Sequence, residues 1–196
     1  MTTGLGTISI AASLAAIALL VYAHRRRPEL NPAATSLSSY FSASTRRAML
    51  AAYSCLTLAL ISTAMKILLA QSDLIGVTSG VLIILAALCL IAAASTTSGA
   101  QDSDTRQKWV VTMHRVSARL AFGAVTVAML LYSILEYPTD SRGHRALRVW
   151  ALLASVPALT GFGLLMQMPT NSPVYGLVQK IVVILVVFWI VLIALI

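Results

Sequence analysis

Six apolar runs divide this chain, each close to the length a helix needs to cross a bilayer, and the charges fall almost wholly between them. A hydrocarbon core about 30 Å thick takes roughly 20 residues of helix to span. Lipid offers the backbone no hydrogen bonds, so a crossing segment must pair its own amides and carbonyls, which a helix does internally. The expected fold class is therefore all-α, a polytopic transmembrane bundle of six helices. The spans fall at about 5–23, 48–70, 74–95, 113–135, 147–168 and 174–196. Only 10% of the residues are charged, against about a quarter in soluble domains. No stretch between the spans has the length of a separate soluble domain, so residues 1–196 read as one membrane domain.

The net charge is +8. In a soluble protein that excess would suggest nucleic acid. Here basic residues flank apolar spans, where they orient the chain and face lipid, so no nucleic-acid partner is expected. The first run carries no cation before it, and Arg25, Arg26 and Arg27 come after it. A cleaved signal peptide has the reverse order, so this run is expected to remain as a span. Arg25, Arg26, Arg27, Arg46, Arg47, Arg106, Lys108, Arg115, Arg119 and Lys180 belong to one side of the membrane. Lys66, Arg142, Arg145 and Arg148 belong to the other. The richer side is expected to be cytoplasmic, which leaves both termini outside a multi-pass cell-membrane protein.

Small residues show where helices can approach closely. Ala11, Ala12, Ala15 and Ala16 do so on the first span, Gly76 and Gly80 on the third, Ala124 and Ala128 on the fourth. The last span is nearly all branched aliphatic from Val182 onward, a surface suited to lipid, with a core helix as the alternative. Ser172 and Pro173 form a helix-start signature before it, serine as cap and proline in the first turn. Pro157, followed by Gly161 and Gly163, marks the fifth span. It reads as a packing kink or as a broken helix beside a cavity, with Ser155 and Thr160 placed to satisfy a freed carbonyl.

Ionisable groups within spans are the candidates for function. Lys66 lies about 6 Å inside the end of the second span, near the membrane face of Glu136, so the two form a candidate intramembrane polar pair. Snorkelling of Lys66 to the interface is the competing view. Arg115 and Arg119, one turn apart, share a helix face. With Arg46, Arg47 and Lys180 they are candidates for contact with lipid head groups. His24 and His114 fall on one side and His144 on the other, so at most one bis-histidine haem is possible on count. Asp102 and Asp104 lie in a polar loop with no nearby His or Cys, and a solvated turn explains them. Cys55 and Cys89 both sit inside apolar runs, which argues against a disulfide framework. No Gly-x-Ser-x-Gly, His-Glu-x-x-His or phosphate-binding glycine loop occurs, so no catalytic residue, metal site or cofactor is assigned.

Three segments carry a resemblance. Arg25-Arg26-Arg27-Pro28-Glu29-Leu30-Asn31-Pro32 with Leu37-Ser38-Ser39-Tyr40 is one. Met113-His114-Arg115-Val116-Ser117-Ala118-Arg119-Leu120-Ala121-Phe122 and Ser172-Pro173-Val174-Tyr175-Gly176-Leu177-Val178-Gln179-Lys180 are the others. They resemble the loop after the first span, the start of the fourth span and the start of the last span in domain-of-unknown-function family 998. That is a bacterial group of six-span membrane proteins. Ser39 stands where the family pattern has an acidic residue. The resemblance implies the fold and the membrane location, and no reaction, substrate or cofactor.

Taken together, these features point to a non-enzymatic helix bundle that binds membrane lipids, anionic ones included, or a protein partner, another copy of the chain among them. The alternatives are a small-solute carrier using Pro157, Gly161 and Gly163 with Lys66 and Glu136, and a single-haem redox protein.

Overall fold

The structure is a computed structural model that describes residues 2–97, 104–135 and 142–196. Six helices account for most of them: α1 (Thr2–Arg25), α2 (Arg46–Ala70), α3 (Leu74–Thr97), α4 (Asp104–Leu135), α5 (Arg142–Gln167) and α6 (Tyr175–Leu195). A 3₁₀ turn, Leu37–Tyr40, lies between α1 and α2, and no strand occurs among the described residues. All six helices are long and apolar enough to cross a membrane. Each packs on its neighbour in sequence and α6 returns to α1, so the helices close a ring, with α6 also touching α2 and α4 across it. One end of the bundle carries the α1–α2, α3–α4 and α5–α6 connections; it is called the loop end below.

The helix bounds follow the apolar runs except at α4, which begins at Asp104 rather than near residue 113, and at α5, which begins at Arg142 rather than near residue 147. The first of the added residues, 104–108, are polar, with Arg106, Gln107 and Lys108 good helix formers. Apolarity marks only the part of a helix that meets lipid and does not register its extension into water.

The last span is a core helix and does not simply face lipid. Val182, Val186, Trp189, Ile190 and Ile193 are all buried. Its start also differs from the signature. Ser172 is two residues too early, Val174 is the cap position, and no side chain caps it. The Ala33 carbonyl from the α1–α2 segment instead accepts the Leu177 N–H at 2.7 Å. A distant backbone group thus fills the role expected of serine.

Helix α5 runs unbroken through Pro157. Ser155 and Thr160 donate to Ala151 and Val156, each to its own preceding turn, and neither serves the Leu153 carbonyl that proline leaves without a donor. Gly161 lets α6 come close: a Cβ there would stand 2.7 Å from a Val182 methyl. On α1, Gly6, Ser9, Ala12, Ser13 and Ala16 are buried, and the Ser9 and Thr63 hydroxyls meet 3.1 Å apart across α1 and α2.

Candidate functional site

The α1–α2 segment folds back onto the first turn of α6. Lys180 Nζ donates to the carbonyls of Pro32 (2.7 Å), Thr35 (2.8 Å) and Gly176 (3.3 Å). Three ammonium protons meet three acceptors, so this cation is committed to the fold. A Cβ on Gly176 would lie 2.2 Å from the Thr35 carbonyl oxygen, a backbone atom with no freedom to retreat. Gln179 Oε1 accepts the Leu37 N–H at 2.8 Å and so pins the start of the 3₁₀ turn. Tyr40, at its end, is buried, with its hydroxyl 2.9 Å from His24 Nδ1 and Lys180 over its ring. Burial pushes the Tyr40 phenol up from its ordinary pKa, against a smaller opposing pull from Arg27. Arg27 also pairs with exposed Glu29 and holds that carboxyl below its usual value.

Beside this anchored segment lies a cavity of about 350 Å³. Its α4 wall is His114, Arg115, Ala118, Arg119 and Phe122, a spacing that places them along one helix face. Phe162, Leu165 and Met166 form the α5 wall, Tyr175 and Gln179 come from α6, and Ser36, Ser38 and Ser39 form the roof. Phe162 is seated on Gly123, where a Cβ would come within 3.1 Å of the ring. From His114 to Phe122 the α4 face descends about 12 Å, from cation and hydroxyl at the mouth to aromatic carbon below.

The electrostatics of this cavity are one-sided. Arg115 and Arg119 are exposed at its rim, and among the described residues neither has an ion-pair or hydrogen-bond partner. Of the carboxylates whose side chains are described, Glu29 is taken by Arg27, and Asp73 accepts the Gly76 N–H at the opposite end of the bundle. His114 turns Nδ1 to the Ala93 carbonyl at 2.9 Å. A carbonyl only accepts, so Nδ1 carries the proton and Nε2 is the nitrogen left for a ligand. The Ser36 hydroxyl lies 3.0 Å from those of both Ser38 and Ser39. Such a site can hold a negatively charged group by its cations and hydroxyls and an apolar group below them.

The structure brings together only part of the basic collar read from the sequence. Arg115 and Arg119 share the cavity. Arg46 and Arg47 are exposed at the start of α2, at the same end but outside the lining. Lys180 faces inward, on the loop carbonyls. Lys66 donates to the carbonyls of Ile193 and Ala194 (2.8 and 2.9 Å) and so caps the C-terminal turn of α6. Glu136, its candidate partner, lies outside the described residues, as does Asp102. His24 and His114 line different cavities. No group of three metal-ligating side chains occurs among the described residues.

Gln179, Phe162 and the serine roof had no signal of their own in the sequence. The signal that existed was regional: the segments 25–40, 113–122 and 172–180, far apart in the chain, all contribute to this cavity. Neither the curated proteins nor the solved structures yield a match to the chain. The family model described as Protein of unknown function (DUF998) matches residues 10–196. This multi-pass membrane protein therefore belongs to the DUF998 family.

Proposed function

We propose that the protein is a lipid-binding helix bundle that takes an anionic lipid head group into the cavity at its loop end, on the cytoplasmic side of the membrane. The observation that carries this reading is the pair Arg115 and Arg119, without protein partners among the described residues, at the rim of a cavity floored by Phe122 and Phe162. A guanidinium presents a planar fork of donors that matches phosphate oxygens in pairs. At the edge of the hydrocarbon the dielectric is lower than in water, which strengthens that attraction. The serine roof supplies further donors. Arg46 and Arg47, outside the cavity, add longer-range attraction to the anionic leaflet.

The test is native mass spectrometry of the purified protein with phosphatidylglycerol and phosphatidylcholine. The anionic lipid should be retained in preference, and Arg115→Gln with Arg119→Gln should abolish the preference. Arg46→Gln with Arg47→Gln should reduce it only modestly. Inorganic phosphate at equal concentration should compete poorly, since it lacks the apolar part. Equal retention of the two lipids, or a preference that survives the Arg115 and Arg119 changes, would defeat the reading.

A further inference from the structure

The cavity at Arg115 and Arg119 is the first in a series of three, each sharing wall residues with the next. A small one of about 30 Å³ sits in the centre of the ring, bounded by His114, Phe122 and Gln179, which it shares with the first. A third, about 180 Å³, opens between α1 and α6. It shares Leu20, Leu37 and Val183 with the central one. The 3₁₀ turn Leu37–Tyr40 and the serine before it roof all three: Ser36 and Ser39 over the first, Ser38 over the first and second, Leu37 over the second and third.

Polarity changes along this series. At one end stand two arginines and a serine cluster. At the other the walls are almost wholly carbon, with Ile17, Leu20, Val21 and Ile184 prominent and the last two exposed toward lipid. A free anion would need only the first cavity, and a bystander hydrocarbon only the third. A molecule that uses the whole series has a negative head at one end and a hydrocarbon chain at the other.

We propose that the three cavities are one binding site for a single-chain anionic amphiphile that lies across the bundle beneath the 3₁₀ turn. Its head meets Arg115 and Arg119, its chain passes under Leu37, and its tail fills the groove between α1 and α6. This rests on the head-group reading above and adds the ligand's class and path. The central cavity is the narrow point, bounded by the Leu37 and Val183 side chains, so loading requires the Leu37 side chain to swing aside.

The experiment compares oleoyl and hexanoyl lysophosphatidic acid, which share a head and differ in chain. Each is titrated into wild-type protein, Ile17→Trp, and the Arg115→Gln, Arg119→Gln double variant. Ile17 is half-buried on the lipid side of the groove, so a tryptophan there fills the groove while leaving the arginines untouched. Partition of the chain into detergent is common to every variant and cancels between them. The oleoyl probe should bind wild type at least about tenfold more tightly than the hexanoyl probe, since each buried methylene adds affinity. Ile17→Trp should erase that advantage, and the arginine variant should weaken both probes. A diazirine at the end of the oleoyl chain should label Leu20, Val21 or Ile184 in wild type, a readout that needs no variant to fold. Equal affinity for both probes in wild type, or label confined to α3 and α5, overturns the transverse site and leaves the head-group reading standing. Failure of both probes to bind overturns both.

Discussion

At Gly176 the Thr35 backbone of the α1–α2 segment lies close against α6, and the tolerance for change is correspondingly small. Gly176→Ala sets a Cβ against the Thr35 backbone, with no flexible side chain to give way. Overpacking of this kind costs about 1–3 kcal/mol. Lys180→Met strands the carbonyls of Pro32 and Thr35, at about 1–3 kcal/mol for groups left without partners. Both residues hold the same segment, so the double variant should lose clearly less than the sum of the two. Thermal melts in detergent give the energies, and protease cleavage within 26–45 should rise in each variant. Strictly additive losses, or a protected segment, would contradict this docking. Tyr40 adds a pH dependence. Burial raises its folded pKa above the unfolded value near 10, so the fold favours the neutral phenol. That contribution is in place below about pH 10 and is lost as pH rises through the folded pKa. Wild type should therefore lose more stability than Tyr40→Phe between pH 9 and about 11. At this scale the sequence revealed residue types but not partners. Arg115 and Arg119 were legible as one face because helix periodicity is local. Lys180 was not legible as an anchor, because its acceptors are carbonyls that only the tertiary fold brings to it.

Among the elements, α6 is tied to α4 and α5 by a short chain of buried hydrogen bonds. Trp189 Nε1 donates to Ser133 Oγ at 2.9 Å, and Ser133 and Ser155 hydroxyls meet at 3.0 Å. Ser155 donates to the Ala151 carbonyl, so Ser133 must donate to Ser155 and every proton in the chain has one acceptor. The Tyr132 ring stands edge-on to Trp189, with centroids 6.1 Å apart. Ser133→Ala leaves the indole N–H without an acceptor in an apolar setting and should cost about 1–3 kcal/mol. Ser155→Ala removes only the end of the chain, and the Ser133 hydroxyl can turn to its own helix, so it should cost less. Unfolding in a denaturing detergent, followed by tryptophan fluorescence, ranks the two; a larger loss for Ser155→Ala would show that the polarity of the chain is reversed. The six helices themselves were readable because apolar length is a direct response to bilayer thickness. The central place of α6 was not, because a helix apolar all round suits lipid and core equally well and only its neighbours decide.

For the whole molecule, closure of the ring sets two ends with different chemistry. At one end Lys66 caps the last turn of α6, and Gly6 of α1 lies where a Cβ would meet the Ala194 carbonyl at 2.7 Å. At the other the anchored segment, the arginines and the cavity gather. The apolar runs gave the number and order of the spans, while the cavity depends on three segments meeting in space, which no single run encodes. The distribution of lysine and arginine bears on which end is expected in the cytoplasm: among the described side chains the loop end holds Arg25, Arg26, Arg27, Arg46, Arg47, Lys108, Arg115, Arg119 and Lys180, against Lys66 and Arg148 opposite. The bias predicts the loop end inside. Ser44 and Ser72 are exposed at the two ends and suit a labelling test in protein lacking Cys55 and Cys89. Ser72→Cys should react with a membrane-impermeant maleimide in intact cells, and Ser44→Cys only after permeabilisation. The opposite pattern would invert the protein and present Arg115 and Arg119 to the outer leaflet. Because the arginines and the groove are fixed to one another by the fold, the amphiphile site would survive such an inversion, but its ligand would then have to come from the other leaflet.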